Sequence, residues 1–592
     1  MTTMTRVQRG AGAGSPRPVW ALAALLAMAG CSTVPPAAKA PEPPLSPSVQ
    51  WVVVPPRAPV VAAPVAPLPP AADLPRASDI ESPGVAARFP DPTVDYRTPA
   101  FELGHAAYTT NTEVRDLLRA LVREPEGVAG APGIRLLQLG TSQARLPLEA
   151  LLFTHDATTS EASARASRPT VLLVAQQHGD EPAGSEALLV IARQLASGSL
   201  RPLRERINVI VLPRANPDGA ANDQRLSASG IDVNRDHLLL RTPEAQAQAQ
   251  LVRTYEPIVV VDAHEYSAIG RNMVKFDAVE RFDALLQYAT VANLPDFITK
   301  AAEQWFRQPL LDSLREQGLS AEWYYTSSTD TSDRKVSMGG VQPDTARNVH
   351  GLRNAVSILV ETRGVGLGRA HLKRRVHTHV VAITGILNSA ATRAPDLAKL
   401  RRFVDGEVVA MACHGDVIIE AAATPSEYVL QMLDPITGAD KPVTVAWNSA
   451  LQLVPLRVRA RPCGYWLGAD QGEAVMRLRG LGVRVVRLAE GATLRAETYV
   501  ETARETGARP DVRGTMSEGG SAVLIKVALQ PLLIEVNAGS YYVPLDQPLA
   551  HLVVAALEPD TPNSYFANRL IGNINAQARV LSRPEARMTT LP

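Results

Sequence analysis

From residue 134 onward the chain alternates between two hydrophobic periods. Short runs rich in Val, Ile and Leu at 146–153, 171–175, 207–212, 258–261 and 355–360 read as strands buried on both faces. Between them Leu188, Ile191, Ala192 and Leu195 recur at helical spacing, and residues 369–390 predict a further helix. Upstream, Thr110 and Glu113 match a capping box ahead of Val114, Leu117, Leu118 and Leu121, which predicts an amphipathic helix and puts the start of order near Phe101. Strands alternating with helices predict an α/β fold over residues 95–395, a mixed, largely parallel sheet with helices on both faces. Ligands of such sheets bind beyond the carboxyl ends of the strands. After about residue 400 come short Val-rich runs (408–411, 417–419, 443–447, 523–527, 532–536) separated by Gly, Pro and Asp, predicting a smaller β-rich accessory domain over 400–592.

The first 92 residues follow neither period. Arg6, Arg9 and Arg17 precede the apolar run 19–29 and Gly30, the order of an export signal, and the run is too short for a permanent membrane span. Ala27-Met28-Ala29-Gly30-Cys31 resembles the bacterial lipobox, with Met28 where that pattern usually has Leu. The resemblance implies a signal peptide over 1–31, acylation of Cys31, and a periplasmic protein tethered to the cell envelope. Ser32 after the cysteine directs it to the outer membrane by the same resemblance. Seventeen of the 47 prolines then fall between Pro35 and Pro92, a composition that cannot bury a core and reads as an extended spacer over 32–92.

Composition narrows the function classes. Sixty Lys and Arg against 59 Asp and Glu leave a formal charge of +1, which gives no footprint for nucleic acid and leaves the lipid anchor as the contact with membrane. Three cysteines exclude a disulfide-rich scaffold; Cys413 and Cys463 either pair in an oxidising compartment or stay as buried thiols. Nothing in the sequence sets an oligomeric state.

The candidate chemistry lies at strand ends. His178-Gly179-Asp180-Glu181 follows the strand 171–175, and Pro182 suits the first position of the next helix. An imidazole and a carboxylate three residues apart can face one cation. His264, in Asp262-Ala263-His264-Glu265 after the strand 258–261, supplies a third ligand at the same sheet edge. Two His and one Glu with an open fourth position make a catalytic rather than a structural zinc site, one Zn2+ per chain. Glu361 ends the run 355–360, where a carboxylate is costly unless it faces a cleft or a cation, and is the candidate base. Arg225, and Asn234 with Arg235 in Asp232-Val233-Asn234-Arg235, offer donors for a polarised carbonyl and a carboxylate. His371, His377 and His379 sit among Lys373, Arg374 and Arg375 and read as a solvated helix face.

His178-x-x-Glu181, Asn216-Pro217-Asp218-Gly219, Asp232-Val233-Asn234-Arg235, Asp262-Ala263-His264 and Glu361-Thr362-Arg363 stand in the order of the metallocarboxypeptidases of the M14 type, which the chain resembles over roughly 95–395. The resemblance implies that His178, Glu181 and His264 hold zinc and that Glu361 is general base and then acid. It further implies that Arg225 stabilises the oxyanion, that Asn234 and Arg235 bind the free carboxylate of a peptide or peptide-like substrate, and that Tyr324 or Tyr325 covers it. Many digestive members carry Arg where this chain has Asp180. The His-Gly-Asp-Glu form is also similar to deacylases of the same superfamily. Two alternatives therefore stand beside the carboxypeptidase: a zinc deacylase or amidase acting on N-acyl amino acids or cell-wall peptide, and a catalytically inactive envelope-binding lipoprotein.

Overall fold

In the computed structural model, which describes residues 81–123, 133–155, 168–511, 514–516 and 521–591, the apolar runs resolve into an eight-stranded mixed sheet. Its strands are β1 (Ile134–Thr141), β2 (Pro147–Phe153), β3 (Thr170–Ala175), β4 (Asn208–Leu212), β5 (Val259–Ser267), β7 (Ala284–Tyr288), β8 (Ala321–Trp323) and β11 (Val356–Val365), in the order β1-β2-β4-β3-β5-β11-β7-β8. The four central strands β4, β3, β5 and β11 run parallel, while β1, β2 and β7 pair antiparallel with their inner neighbours. Every residue of β3 and β4 is buried, as uninterrupted β-branched and Leu runs require when helices cover both faces. Covering helices include Pro182–Ser197, Pro243–Tyr255 and Leu372–Thr392. The helix Asn111–Arg123 starts as its capping box predicts: Glu113 Oε2 accepts the Thr110 backbone N–H at 2.7 Å, and Thr110 Oγ1 accepts that of Glu113 at 3.3 Å. Among the described residues no helix is long and apolar enough to cross a membrane.

Several boundaries differ from the sequence reading. The export signal, Cys31 and the spacer up to residue 80 lie outside the described residues. The spacer does not extend to residue 92, however, because order is already present at Glu81. Its carboxylate pairs with Arg363 at 2.8 Å and His371 at 3.0 Å, and Val85 and Phe89 are buried. The Arg363 guanidinium lies 4.2 Å from the centroid of the Phe89 ring, so a short apolar and aromatic anchor is enough to pin this stretch. Nor does a boundary fall at 400, where the chain is in the middle of the helix Ala394–Ala410, and 408–410 is the end of that helix rather than a strand.

The C-terminal region is β-rich, yet it shares its sheets and core with the rest. The long hairpin β12 (Asp416–Leu433) and β13 (Asp440–Ala460) joins β6 (Val279–Glu280), β9 (Tyr325–Ser327) and β10 (Lys335–Met338) in a five-stranded sheet. A seven-stranded sheet follows. One continuous core holds Leu173 and Val261 of the large sheet together with Tyr465, Leu478, Leu552 and Tyr565, and the described residues belong to a single compact unit, 72–592.

The basic segment before residue 380 is also not a solvated face. His379 is fully buried with Nε2 3.1 Å from Thr362 Oγ1, and His377 Nδ1 meets the Tyr96 hydroxyl at 2.6 Å. The helix carrying them packs against the large sheet and against neighbouring helices, which a run of basic residues could not reveal. Cys413 and Cys463 form a disulfide across 50 residues. Closing a loop of that length restricts the unfolded chain, so reduction is expected to lower unfolding stability by about 2–4 kcal/mol. Denaturant unfolding with and without reductant, read against Cys463→Ser, measures this.

Candidate metal centre and its cavity

His178 sits in the turn after β3, and Glu181 is the residue just before the helix Pro182–Ser197, with Pro182 at its first position. The turn is set by a glycine contact. A Cβ on Gly179 would lie 1.9 Å from the backbone carbon of Gly219, so His178-Gly179-Asp180-Glu181 and Asn216-Pro217-Asp218-Gly219 touch only because residue 179 has no side chain. Asn216 Oδ1 accepts the Gly219 N–H at 2.9 Å and its amide donates to the Gln177 carbonyl at 3.1 Å, tying the second loop under the first.

His264 and Glu361 were expected at strand ends but lie within strands. β5 continues through Ser267 and β11 through Val365, and the two pair in parallel with Glu361 directly opposite His264. Their neighbours Asp262, Glu265, Thr362 and Arg363 stay in the ladder because each finds a buried partner. Glu265, for example, accepts the Ala183 N–H at 2.8 Å and Arg375 Nε at 2.7 Å.

The three candidate ligands converge. Glu181 Oε1 lies 2.7 Å from His178 Nδ1, Glu181 Oε2 lies 2.7 Å from His264 Nδ1, and the two Nδ1 atoms are 3.1 Å apart. One ligand atom from each residue fits within 4.8 Å of the others. The far side of each ring faces a carboxylate: His178 Nε2 is 3.1 Å from Asp232 Oδ1, and His264 Nε2 is 2.9 Å from Asp262 Oδ1. That arrangement places N–H on Nε2 and leaves both Nδ1 lone pairs aimed at one point beside a carboxylate, the donor set of a divalent cation such as zinc. Burial raises the pKa of Glu181, but the two imidazoles, when protonated, outweigh it and hold the carboxyl below its usual range. Asp232 and Asp262 were visible as motif letters, and their supporting role emerges only from the fold.

The centre opens into a cavity of about 370 Å³. Glu361 lines it at 8% exposure, and burial, with Glu181 adding to it against the opposing pull of His264, pushes its carboxyl up to about 7. Asp180 also lines it, raised to about 6 by burial and then by Glu181. Arg225 donates Nη2 to Asp232 Oδ2 at 2.8 Å and brings Nη1 within 3.1 Å of His178 Nδ1. Asn234 turns out to back the centre: its Oδ1 accepts the Ala346 N–H at 2.8 Å, and its amide nitrogen lies 3.0 Å from His264 Nε2 and 3.4 Å from Asp262 Oδ2. The amide donates to Asp262, the carboxylate behind His264, and the residue also lines the cavity.

Arg235 does face the cavity, held from the C-terminal region. Its Nε and Nη2 both donate to Asp511 Oδ2, at 3.3 and 3.2 Å, and its Nη1 donates to the Asn234 carbonyl at 3.0 Å. Asp511 lies 276 residues away, and no local signal announces it. Arg347, a buried cation on the same cavity, was also missed; its Nη2 donates to the Gly340 carbonyl at 3.0 Å. Of the two tyrosines, Tyr325 is buried with its hydroxyl bound to Glu280, while Tyr324 is half-buried; both line the cavity.

Residues 128–295 match the family model described as zinc carboxypeptidase, Peptidase_M14. The chain is 28% identical over 398 residues to carboxypeptidase 2 of Trichophyton equinum, covering 66% of this chain and 71% of that one. It is 29% identical over 396 residues to a probable carboxypeptidase 2 of Arthroderma benhamiae, covering 65% and 72%. A solved metallo-carboxypeptidase from Burkholderia cenocepacia superposes with a TM-score of 0.34 at 15% identity, over 46% of this chain and 68% of that one. Residues 128–295 therefore carry a zinc carboxypeptidase domain, the relatives it matches are carboxypeptidases, and a further β-rich region follows at the C-terminus.

Because Asp232 and Asp262 orient the two imidazoles, Asp232→Asn and Asp262→Asn are each expected to weaken metal affinity by about 10–100-fold with the fold intact. Competition titration against a chromophoric chelator, alongside circular dichroism, reads both.

Proposed function

We propose that the chain removes C-terminal residues from peptides, with His178, Glu181 and His264 holding one zinc ion. The observation that carries this reading is the convergence of those three ligands, each imidazole backed by its own carboxylate, on an arginine-lined cavity that also contains Glu361. When bound, zinc supplies a Lewis acid and lowers the pKa of the reacting water. Glu361 takes the proton from that water and passes it to the leaving amine, a role suited to a carboxyl in register with His264 and pushed up to about 7 by burial. Arg225 donates to charge developing on the carbonyl oxygen. Arg235 binds the terminal carboxylate, and Arg347 adds a second cation to the same cavity.

Asp180 is the observation that favours a second reading. A half-buried carboxyl stands where an arginine would give a substrate cation site, which suits a deacylase or amidase on N-acyl amino acids or cell-wall peptide. The intact ligand set and the cationic cavity weigh against an inactive binding lipoprotein. We also propose that the protein is exported and anchored through Cys31 on the periplasmic side of a bacterial envelope. The disulfide between Cys413 and Cys463 supports an oxidising compartment.

Glu361→Gln is expected to lower kcat by about 10²–10⁴-fold with metal content unchanged. Metal analysis with steady-state kinetics on a peptide panel checks this, and full activity with metal bound would remove Glu361 as base. Peptides with a free C-terminal carboxylate are expected to be cleaved well and their C-terminal amides poorly, while Arg235→Gln should raise KM for the free acids by about tenfold or more. Equal rates on acids and amides would favour the amidase reading.

A further inference from the structure

Arg347 lines the catalytic cavity at 3% exposure and uses little of its hydrogen-bonding capacity there. It stands in the first turn of the short helix Ala346–Gly351, and the Ala346 N–H donates to Asn234 Oδ1 at 2.8 Å, so the turn is tied to the residue beside Arg235. The guanidinium rests against Gly339, where a Cβ would come within 2.7 Å of both Nη atoms. Nη2 donates to the Gly340 carbonyl at 3.0 Å, the one hydrogen bond this side chain makes among the described residues, and the buried Nε has no partner. Buried N–H groups left in this state are costly unless a ligand takes them.

The cavity wall holds carboxylates too, and they are engaged elsewhere. Glu181 and Asp262 face the imidazoles, Glu265 accepts from Ala183 and Arg375, and Glu280 accepts from the Tyr325 hydroxyl and the Asn272 amide. Asp180 interacts with Glu181, His178 and Arg225. Burial, with Arg235 adding to it against Tyr324, Glu361 and Asp262, pushes the Arg347 pKa down to about 10, so the cation persists at neutral pH. Glu361 and Asp262 thus act on its charge, yet neither closes to an ion pair with it.

Arg235 is provided for differently. Its Nε and Nη2 donate to Asp511 and its Nη1 to the Asn234 carbonyl, and each Nη keeps a second hydrogen at the end of the fork. One terminal carboxylate completes Arg235, which leaves Arg347 for a second acid group with planar, paired oxygens. We propose that Arg347 selects the side chain of the released residue, so that the preferred substrate is a peptide ending in Glu or Asp whose side-chain carboxylate takes the unused N–H groups of Arg347. The proposal rests on the carboxypeptidase reading, with Arg235 holding the terminal carboxylate.

Steady-state hydrolysis by the full metal-loaded chain tests this, on peptides that differ only in a free C-terminal Glu, Gln, Leu or Lys. Glu and Gln match in size and differ in charge. The expected kcat/KM for Glu is about tenfold or more above that for Gln, a comparison that needs no variant. Free glutamate should likewise inhibit the unmodified chain about tenfold or more better than glutamine. In Arg347→Gln both ratios should fall towards one, and Arg347→Lys, a smaller change that serves if the first variant fails to fold, should narrow both. Equal rates on Glu and Gln peptides would overturn the proposal and leave the carboxypeptidase reading standing, as would a Glu preference kept by a folded Arg347 variant. A preference for Lys would overturn it in favour of Glu280. If no free acid were cleaved, the carboxypeptidase reading would fall and this proposal with it.

Discussion

The site depends on the parallel pairing of β5 with its two neighbours. Ala263 pairs with Ala175 on one side, and His264 pairs with Glu361 on the other. A shift of one residue in either register would turn these side chains to the opposite face, since alternate residues of a strand point to opposite sides. With the register held, His264 and Glu361 emerge side by side, and the turn after β3 delivers His178 and Glu181 to the same place. The burial of β3, β4 and most of β5 is therefore more than stability. It keeps two imidazoles and a carboxylate close together at a point where, without a shared cation, their desolvation would be costly.

Around this point the polar groups are arranged in shells. Asp232 and Asp262 orient the imidazoles, Asn216 and the Gly179–Gly219 contact fix the loops, and Asn234 and Gln177 hold Asp262 in turn. Each shell is buried, so each group is satisfied by the next one out, and the chain of hydrogen bonds ends in backbone. The C-terminal region takes part in this order. Asp511 grips Arg235, the continuous core crosses from the large sheet into the second half of the chain, and the hairpin β12–β13 completes a sheet whose strands β6 and β9 line the catalytic cavity. It is better described as a wall of the catalytic region than as an appended domain.

Much of the fold was legible because it rests on local regularities. Uninterrupted Val, Ile and Leu runs marked the central strands, a capping box marked Asn111–Arg123, and glycine with proline at fixed offsets marked the loop before Pro182–Ser197. The misreadings share one cause. His377 and His379 read as solvated because their neighbours are basic, yet a helix packed on both sides buries them. Residues 81–92 read as spacer because they are rich in Pro, yet Val85 and Phe89 find an apolar patch made elsewhere in the chain. The change of texture near 400 read as a boundary, although composition can change within one packed unit.

The sequence by itself determined the ligand types, their order and the strands that carry them, because hydrophobic period and short motifs act over a few residues. Tertiary structure alone decided that Asn234 backs Asp262, that Asp511 holds Arg235, that Cys413 meets Cys463, and that Arg353, Arg401 and His350 face one cavity. Those are contacts between residues tens to hundreds of positions apart. They follow from how helices and sheets pack, and no local pattern of side chains encodes them.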